Sequence, residues 1–99
     1  MSINILIVDD EKSIRETLKI IFNNLNYKVF TAQDGFEAIN ILKSNIIDIM
    51  VTDLRMPGMD GIELMQKTLE IDSSIETIFI SAYADIKAAV KVVKMGAFD

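Results

Sequence analysis

Cysteine and histidine are both absent from this chain. Without cysteine there is no disulfide and no thiolate metal ligand, and nothing points to an oxidising compartment. Without histidine, most zinc sites are excluded, as are Ser-His and Cys-His nucleophile pairs and a histidine phospho-donor within the chain. Any chemistry must therefore come from carboxylates, hydroxyls, lysines and backbone groups.

Long hydrophobic runs are also missing, although 51% of the 99 residues are hydrophobic. The longest apolar run is far below the roughly 18–20 residues of a membrane span. Asn4 interrupts the first apolar run and Asp9 and Asp10 close it, so we expect no secretory signal. The net charge of −5 disfavours nonspecific nucleic-acid binding. We expect one soluble, cytoplasmic domain over residues 1–99, with no nucleic-acid or membrane partner.

The hydrophobic pattern alternates between a strand period and a helix period along the chain. Residues 3–8 form a short β-branched run that is typical of a buried strand, and residues 13–25 place apolar side chains at helical spacing. The same patterns predict further strands at 27–31, 46–52 and 75–81, and further helices at 34–44, 60–71 and 85–96. This βαβαβαβα order predicts a parallel sheet covered by helices on both faces.

Three of the predicted strands end in polar residues. The first ends at Asp9 and Asp10, the third at Asp53 and the fourth at Ser81. Right-handed crossovers place these strands side by side, so the polar groups meet at the edge where open parallel sheets bind ligands. Carboxylates packed together repel one another, and Mg²⁺ relieves that repulsion while leaving room for phosphate oxygens. The pattern predicts a Mg²⁺ site in which Asp53 attacks phosphorus to form an aspartyl phosphate.

Each of these residues also has a structural interpretation. An aspartate after a strand is most often a turn residue or a helix N-cap, and a lone serine such as Ser81 is more often structural than functional. We interpret Asp34, Asp60 and Asp85 as helix caps. The joint placement of the other acids at strand ends favours a site, but it does not identify the phospho-donor.

The segments that contain the candidate site resemble the response-regulator receiver family. The matching segments are residues 5–11 (ILIVDDE), similar to its first strand and acidic pair; residues 48–61 (DIMVTDLRMPGMDG), similar to its phosphoacceptor strand and loop; and residues 78–83 (IFISAY), similar to its fourth strand with a switch hydroxyl. The resemblance covers the whole chain, and the separations between the three segments also suit the family.

The resemblance implies a role for five residues. Asp53 would accept the phosphoryl group, Asp10 would bind Mg²⁺ directly, and Asp9 would bind it through a water molecule. The backbone carbonyl of Arg55 would be a further metal ligand, and Ser81 would turn its hydroxyl toward the phosphoryl group. The implied function is that of a phosphoacceptor in two-component signal transduction. Such a domain takes its phosphoryl group from a sensor histidine kinase, controls an output domain or partner, and turns over no external substrate.

The family fold is flavodoxin-like, a doubly wound α/β sheet of five strands in the order 2-1-3-4-5. Residues 82–99 resemble the fourth helix of receivers in NtrC-like regulators, the sigma-54 activators that also contain an ATPase and a DNA-binding domain. We therefore expect the order 2-1-3-4, with the fifth strand and helix missing and the receiver domain incomplete at its C-terminus. The open edge of strand four, or the fourth helix, would then permit self-association.

Three other functions compete with this one. A Mg²⁺ phosphohydrolase with an aspartyl nucleophile usually has two aspartates separated by one residue after its first strand, whereas Asp9 and Asp10 are adjacent. A nucleotide-binding domain would need a Gly-rich loop after that strand, and glycine occurs at 35, 58, 61 and 96 alone. A structural or dimerising module with a disabled acidic site stays open, and an unchanged melting temperature in millimolar Mg²⁺ would favour it.

Overall fold

The computed structural model describes residues 3–96. Four strands alternate with four helices, and a short 3₁₀ helix precedes the last of them. The strands are β1 (Asn4–Val8), β2 (Lys28–Ala32), β3 (Ile49–Asp53) and β4 (Glu76–Ile80), and the helices are α1 (Lys12–Asn24), α2 (Gly35–Ser44), α3 (Gly61–Ile71) and α4 (Ile86–Gly96). Residues 97–99, which we assigned to the incomplete end of the domain, lie outside the described residues.

All four strands are parallel and lie in the order β2-β1-β3-β4. The predicted α/β fold and its strand order 2-1-3-4 are therefore confirmed. Val8 lies opposite Thr52, and Asp53 lies opposite Ile80, so β1, β3 and β4 end at the same edge of the sheet. The topology thus places the residues that follow these three strands close together in space.

Helices cover both faces of the sheet, and each face has its own hydrophobic core. One core joins side chains of α1 and α4 to the sheet, and the other joins α2 and α3 to its opposite face. The residues of β1 from Ile5 to Val8 are fully buried because the strand has helices on both sides. This explains why β1 reads as a continuous apolar run and not as an alternating one.

Two helix starts follow the predicted capping chemistry. The carboxylate of Asp34 accepts a hydrogen bond from the N–H of Glu37 at 2.8 Å, and that of Asp60 accepts one from the N–H of Glu63, also at 2.8 Å. Each bond satisfies one of the free N–H groups in a helix's first turn. The interpretation of Asp34 and Asp60 as caps is confirmed.

The predicted third strand began too early. The structure begins β3 at Ile49, and Ile46 is 77% exposed. Residues 46–48 are instead held by hydrogen bonds to Asn4, the first residue of β1. Asp48 accepts from the N–H of Asn4 through its Oδ2 at 2.8 Å and donates its own N–H to the Asn4 carbonyl at 2.9 Å. Apolar content alone does not distinguish the segment before the strand from the strand itself.

No helix within residues 3–96 is long and apolar enough to cross a lipid bilayer.

Candidate functional site

Three aspartates meet at the edge where β1 and β3 end. Asp9 and Asp10 directly follow β1, and Asp53 is the last residue of β3. One carboxylate oxygen from each of the three lies within 4.8 Å of the others. The structure thus brings together the three acids that the sequence analysis selected. Oxygen atoms at this spacing are able to share one hard cation.

Asp9 is the buried member of the cluster, with 1% of its surface exposed. Its N–H donates to the carbonyl of Ala32 at 3.2 Å, and its Oδ1 accepts from the N–H of Glu11 at 2.8 Å. Burial raises the pKa of Asp9 to about 6, and the bond from Glu11 opposes that rise. The negative charges of Asp53 and Asp10 raise this pKa further. Asp9 therefore ionises at a free-energy cost that a cation would offset.

The raised pKa of Asp9 predicts that the metal-free protein loses stability as pH rises from about 4 to about 6. In the unfolded chain Asp9 ionises near 3.8, whereas in the folded protein it ionises at about 6, so folding favours its protonated form. The contribution of Asp9 to the free energy of unfolding is complete below its pKa of 3.8 in the unfolded chain. It is lost once the pH has risen through its pKa of about 6 in the folded protein. It amounts to at most roughly 3 kcal/mol, since one pKa unit corresponds to about 1.4 kcal/mol.

Urea unfolding in EDTA across this pH range measures the effect. The Asp9→Asn variant, which does not titrate at this position, should lose this part of the pH dependence. A variant whose free energy of unfolding follows that of the wild type at every pH would show that Asp9 is not responsible.

Hydrogen bonds fix the position of Asp53 at the tip of β3. The Asp53 side chain is half-buried, and its Oδ1 accepts from the N–H of Arg55 at 3.3 Å. Its backbone carbonyl accepts from the hydroxyl of Thr52 at 3.0 Å. The next residue, Leu54, donates its N–H to Ile80 of β4 at 3.1 Å. One side-chain oxygen of Asp53 thus has a backbone donor, while its second oxygen has none among the described residues.

Gly61, at the start of α3, packs directly against the backbone of Asp53. Its N–H donates to the carbonyl of Leu54 at 2.9 Å. A Cβ atom at this position would lie 2.3 Å from the carbonyl oxygen of Asp53. Glycine is therefore required here by close approach, since side chains with a Cβ do not fit. Sequence reasoning treated Gly61 as part of a motif and missed this contact.

Ser81 follows β4 and lies next to the tip of β3, because Ile80 is opposite Asp53. Both its N–H and its hydroxyl donate to Oδ2 of Asp85, at 2.8 Å and 3.0 Å. These bonds lower the pKa of Asp85, the one to the N–H having the larger effect. The Ser81 hydroxyl is thus engaged within the β4–α4 turn.

The interpretation of Asp85 as a cap that opens the last helix needs correction. Asp85 ends the 3₁₀ helix formed by residues 83–85, and α4 begins at Ile86. Its carboxylate accepts from a residue four positions earlier and closes the turn. The sequence offers an aspartate before a helical pattern in both situations, so the pattern does not separate them.

The hydrogen bond from Arg15 to Asp9 is a second contact that sequence reasoning missed. Its Nη1 donates to the backbone carbonyl of Asp9 at 2.7 Å. The sequence signal is weak, because a cation six residues after an acidic pair is ordinary on the exposed side of a helix.

Comparison with known proteins agrees with this architecture. The family described as the response regulator receiver domain matches residues 5–99. Sporulation initiation phosphotransferase F of Bacillus subtilis is 36% identical over 97 residues, which are 98% of this chain and 78% of that protein. The DNA-binding transcriptional regulator NtrC of Escherichia coli is 34% identical over 93 residues, which are 94% of this chain and 20% of that protein. The chain thus spans most of the first relative and about a fifth of the second.

Two solved structures extend the comparison. The chemotaxis protein CheY4 of Vibrio cholerae has a TM-score of 0.84 at 21% identity, covering 95% of this chain and 98% of that one, and it supports the fold. The response regulator protein TrrA of Thermotoga maritima, solved in complex with Mg(2+)-BeF, has a TM-score of 0.77 at 32% identity. That match covers 93% of this chain and 79% of the other. From its sequence, fold and relatives together, this chain belongs to the response regulator receiver domain family.

Proposed function

We propose that Asp53 of this receiver domain accepts a phosphoryl group from a sensor histidine kinase, with Mg²⁺ at the acidic cluster. Receiver domains are the phosphoacceptors of two-component systems. The observation that supports the assignment to this site is the convergence of three carboxylates within 4.8 Å at the carboxyl edge of a parallel sheet. The 99 residues contain no histidine, so they do not themselves provide the phosphohistidine donor.

Asp53 is the nucleophile that the geometry favours among the three acids. Asp9 is 1% exposed, so it is shielded from an incoming phosphate group. Asp10 is exposed, and no described hydrogen bond orients its carboxylate. Asp53 is accessible and is held by the N–H of Arg55 through one oxygen, which leaves the other free to attack phosphorus.

The residues present fit a magnesium ion. All three donors are carboxylates, which are the ligands that hard dications prefer, and their mutual repulsion is relieved by a positive ion. Asp10 would bind the ion directly, as would Asp53 and the carbonyl of Arg55. Asp9, whose Oδ1 already accepts from Glu11, would act through a water molecule. The ion, when bound, neutralises charge on the phosphoryl oxygens.

Ser81 would report the presence of the phosphoryl group. Its hydroxyl has one proton, which it donates to Asp85. Donating that proton to a phosphoryl oxygen on Asp53 requires the hydroxyl to leave Asp85, so the β4–α4 turn must rearrange. Phosphorylation would thereby change the surface around α4, which controls an output domain or a partner. In this proposal the chain turns over no external substrate, and it acts in the cytoplasm beside its kinase.

The proposal is tested by incubating the chain with acetyl phosphate and Mg²⁺ and measuring its intact mass. We expect the gain of one phosphoryl group, lost again in hydroxylamine because the product is an acyl phosphate. EDTA should prevent the gain. No mass change under conditions in which another receiver domain is labelled would contradict the assignment.

The edge of β4 is a second surface with a proposed role. The N–H of Glu76 donates to the carbonyl of Asp48, just before β3, and the carbonyl of Ile80 accepts from the N–H of Leu54, just after it. Because backbone groups alternate in direction along a strand, those of Thr77 and Phe79 point away from the sheet. The hydroxyl oxygen of Thr77 is also buried without a hydrogen-bond partner among the described residues. We infer that this edge pairs with a second copy of the chain, as exposed strand edges tend to do.

Self-association through the edge should appear as a concentration-dependent sedimentation coefficient. The alternative surface is α4, on which Val92 is 51% exposed and Met95 is 62% exposed. The Val92→Lys and Met95→Lys variants should leave association through β4 unchanged and abolish association through α4. A chain that sediments as a monomer at every concentration would contradict both. The expectation that the receiver domain is incomplete at its C-terminus stays a prediction.

A further inference from the structure

We propose that Arg15 is a positioning residue for the acidic site, acting on Asp10 through the backbone carbonyl of Asp9. The inference rests on the proposed function of the cluster as a Mg²⁺ site. It concerns a side chain that belongs to none of the assigned metal ligands and that contacts no carboxylate of the cluster in the described hydrogen bonds.

The contact is short and is made by a charged donor. Nη1 of Arg15 lies 2.7 Å from the carbonyl oxygen of Asp9, a distance typical of charge-assisted hydrogen bonds. Arg15 lies on α1 and is half-buried, and its own N–H donates to the carbonyl of Glu11 at 3.2 Å. The guanidinium therefore ties the first turn of α1 to the end of β1, across the loop that contains the acidic pair.

The carbonyl of Asp9 is a group that the sheet leaves without a strand partner. The N–H of Asp9 donates to Ala32, which is the last residue of β2. No residue of β2 follows to donate to the carbonyl, and Arg15 provides the donor. A buried carbonyl without any donor would be free to rotate or would cost free energy.

Fixing this carbonyl also fixes Asp10. The Asp9 carbonyl and the Asp10 N–H belong to one planar peptide unit, so their orientations are coupled. The plane sets where the Asp10 Cα lies and in which direction its carboxylate extends. Asp10 is exposed and has no described hydrogen bond of its own, so its backbone is what places it. Loss of the Arg15 bond should therefore misplace a direct metal ligand.

Neighbouring cations provide a matched control. Arg15 lines a groove of about 220 Å³ together with Lys12, Glu16, Lys19 and Thr31. Lys12 pairs with Glu16 at 3.8 Å, and Lys19 makes no described contact with the Asp9 carbonyl. Replacing Lys19 by methionine thus removes the same charge from the same groove and leaves the Asp9 carbonyl bond intact.

A positioning role for Arg15 and a purely electrostatic role predict opposite changes in Mg²⁺ affinity when Arg15 is replaced. A positive side chain near a cation site repels the cation, so loss of its charge alone should tighten Mg²⁺ binding. Loss of a residue that orients a ligand should weaken it, by about 10-fold to 100-fold in known metal sites. The direction of the change therefore distinguishes positioning from electrostatics.

The experiment is a calorimetric Mg²⁺ titration of the full chain, with Arg15→Met, Arg15→Gln and Lys19→Met beside the wild type. We expect about a tenfold weaker Kd for both Arg15 variants and an equal or slightly tighter Kd for Lys19→Met. Melting curves in EDTA measure folding separately, because a merely structural role would lower the melting temperature and leave Kd unchanged.

A Kd equal to or tighter than that of the wild type, in either Arg15 variant that folds, would overturn the proposal. If Arg15→Met does not fold, Arg15→Gln decides, since glutamine retains a polar side chain on α1. An equal weakening in Lys19→Met would also overturn it. Failure of the wild type to bind Mg²⁺ at all would instead contradict the proposed metal site, so the two failures are distinguishable.

Discussion

Replacing Asp53 with alanine should abolish phosphorylation by acetyl phosphate, reducing labelling to that of a denatured control. The carboxylate that would form the acyl phosphate is then absent, and Asp9 is too buried to replace it. Asp10 is exposed, but its oxygen is not held by a backbone donor as the Oδ1 of Asp53 is. Intact mass measured over time, with Mg²⁺ present, gives the result.

The matched control for this loss is Asp60→Asn. Asp60 is an exposed carboxylate in the same loop, and it caps α3 through the N–H of Glu63. Asparagine caps helices about as well as aspartate, so this variant should fold and label as the wild type does. Labelling of Asp53→Ala at the wild-type rate would show that another residue accepts the phosphoryl group.

Replacing Gly61 with alanine should lower the free energy of unfolding by roughly 2–4 kcal/mol. The added Cβ would lie 2.3 Å from the carbonyl oxygen of Asp53, and backbone atoms do not yield as a flexible side chain does. Either β3 or the start of α3 must then shift, and either shift would displace Asp53. Urea unfolding measures the loss, and we expect weaker Mg²⁺ binding by the folded fraction.

Gly35→Ala is the comparison for this effect. Gly35 is also the buried first residue of a helix, and a Cβ there would lie 2.6 Å from the sulfur of Met59. A methionine side chain can rotate, so the loss of stability should be smaller than at Gly61. An equal or larger loss in Gly35→Ala would show that contact with the Asp53 carbonyl has no special cost.

The fold was predictable because each element has a distinct pattern. Short β-branched runs alternate with helical spacing, which predicts a parallel sheet with right-handed crossovers. The strand order 2-1-3-4 was expected from the resemblance to the receiver family. The start of β3 was not predictable, since Ile46 and Ile47 are as apolar as the strand itself. Ile47 is buried and Ile46 is exposed, yet neither belongs to the sheet ladder.

The acidic cluster was predictable for a related reason. Residues that end parallel strands share one edge, so the placement of Asp9, Asp10 and Asp53 follows from topology alone. The contacts of Arg15 and Gly61 depend on where a long side chain extends and on how closely a loop returns to a strand. Neither property has a periodic signature, so both required coordinates.

The division of the interior into two cores has a consequence for how the domain transmits a change. Side chains of α4 such as Ala89 and Val93 lie in the same apolar cluster as Leu18 and Phe22 of α1, whereas α2 and α3 pack on the far face of the sheet. A displacement of α4 must therefore be absorbed by repacking against α1, because close-packed interiors leave little free volume. A protein bound along α1 would sense the state of the β4–α4 turn through this shared layer, and a protein bound to α2 would be screened from it by the sheet.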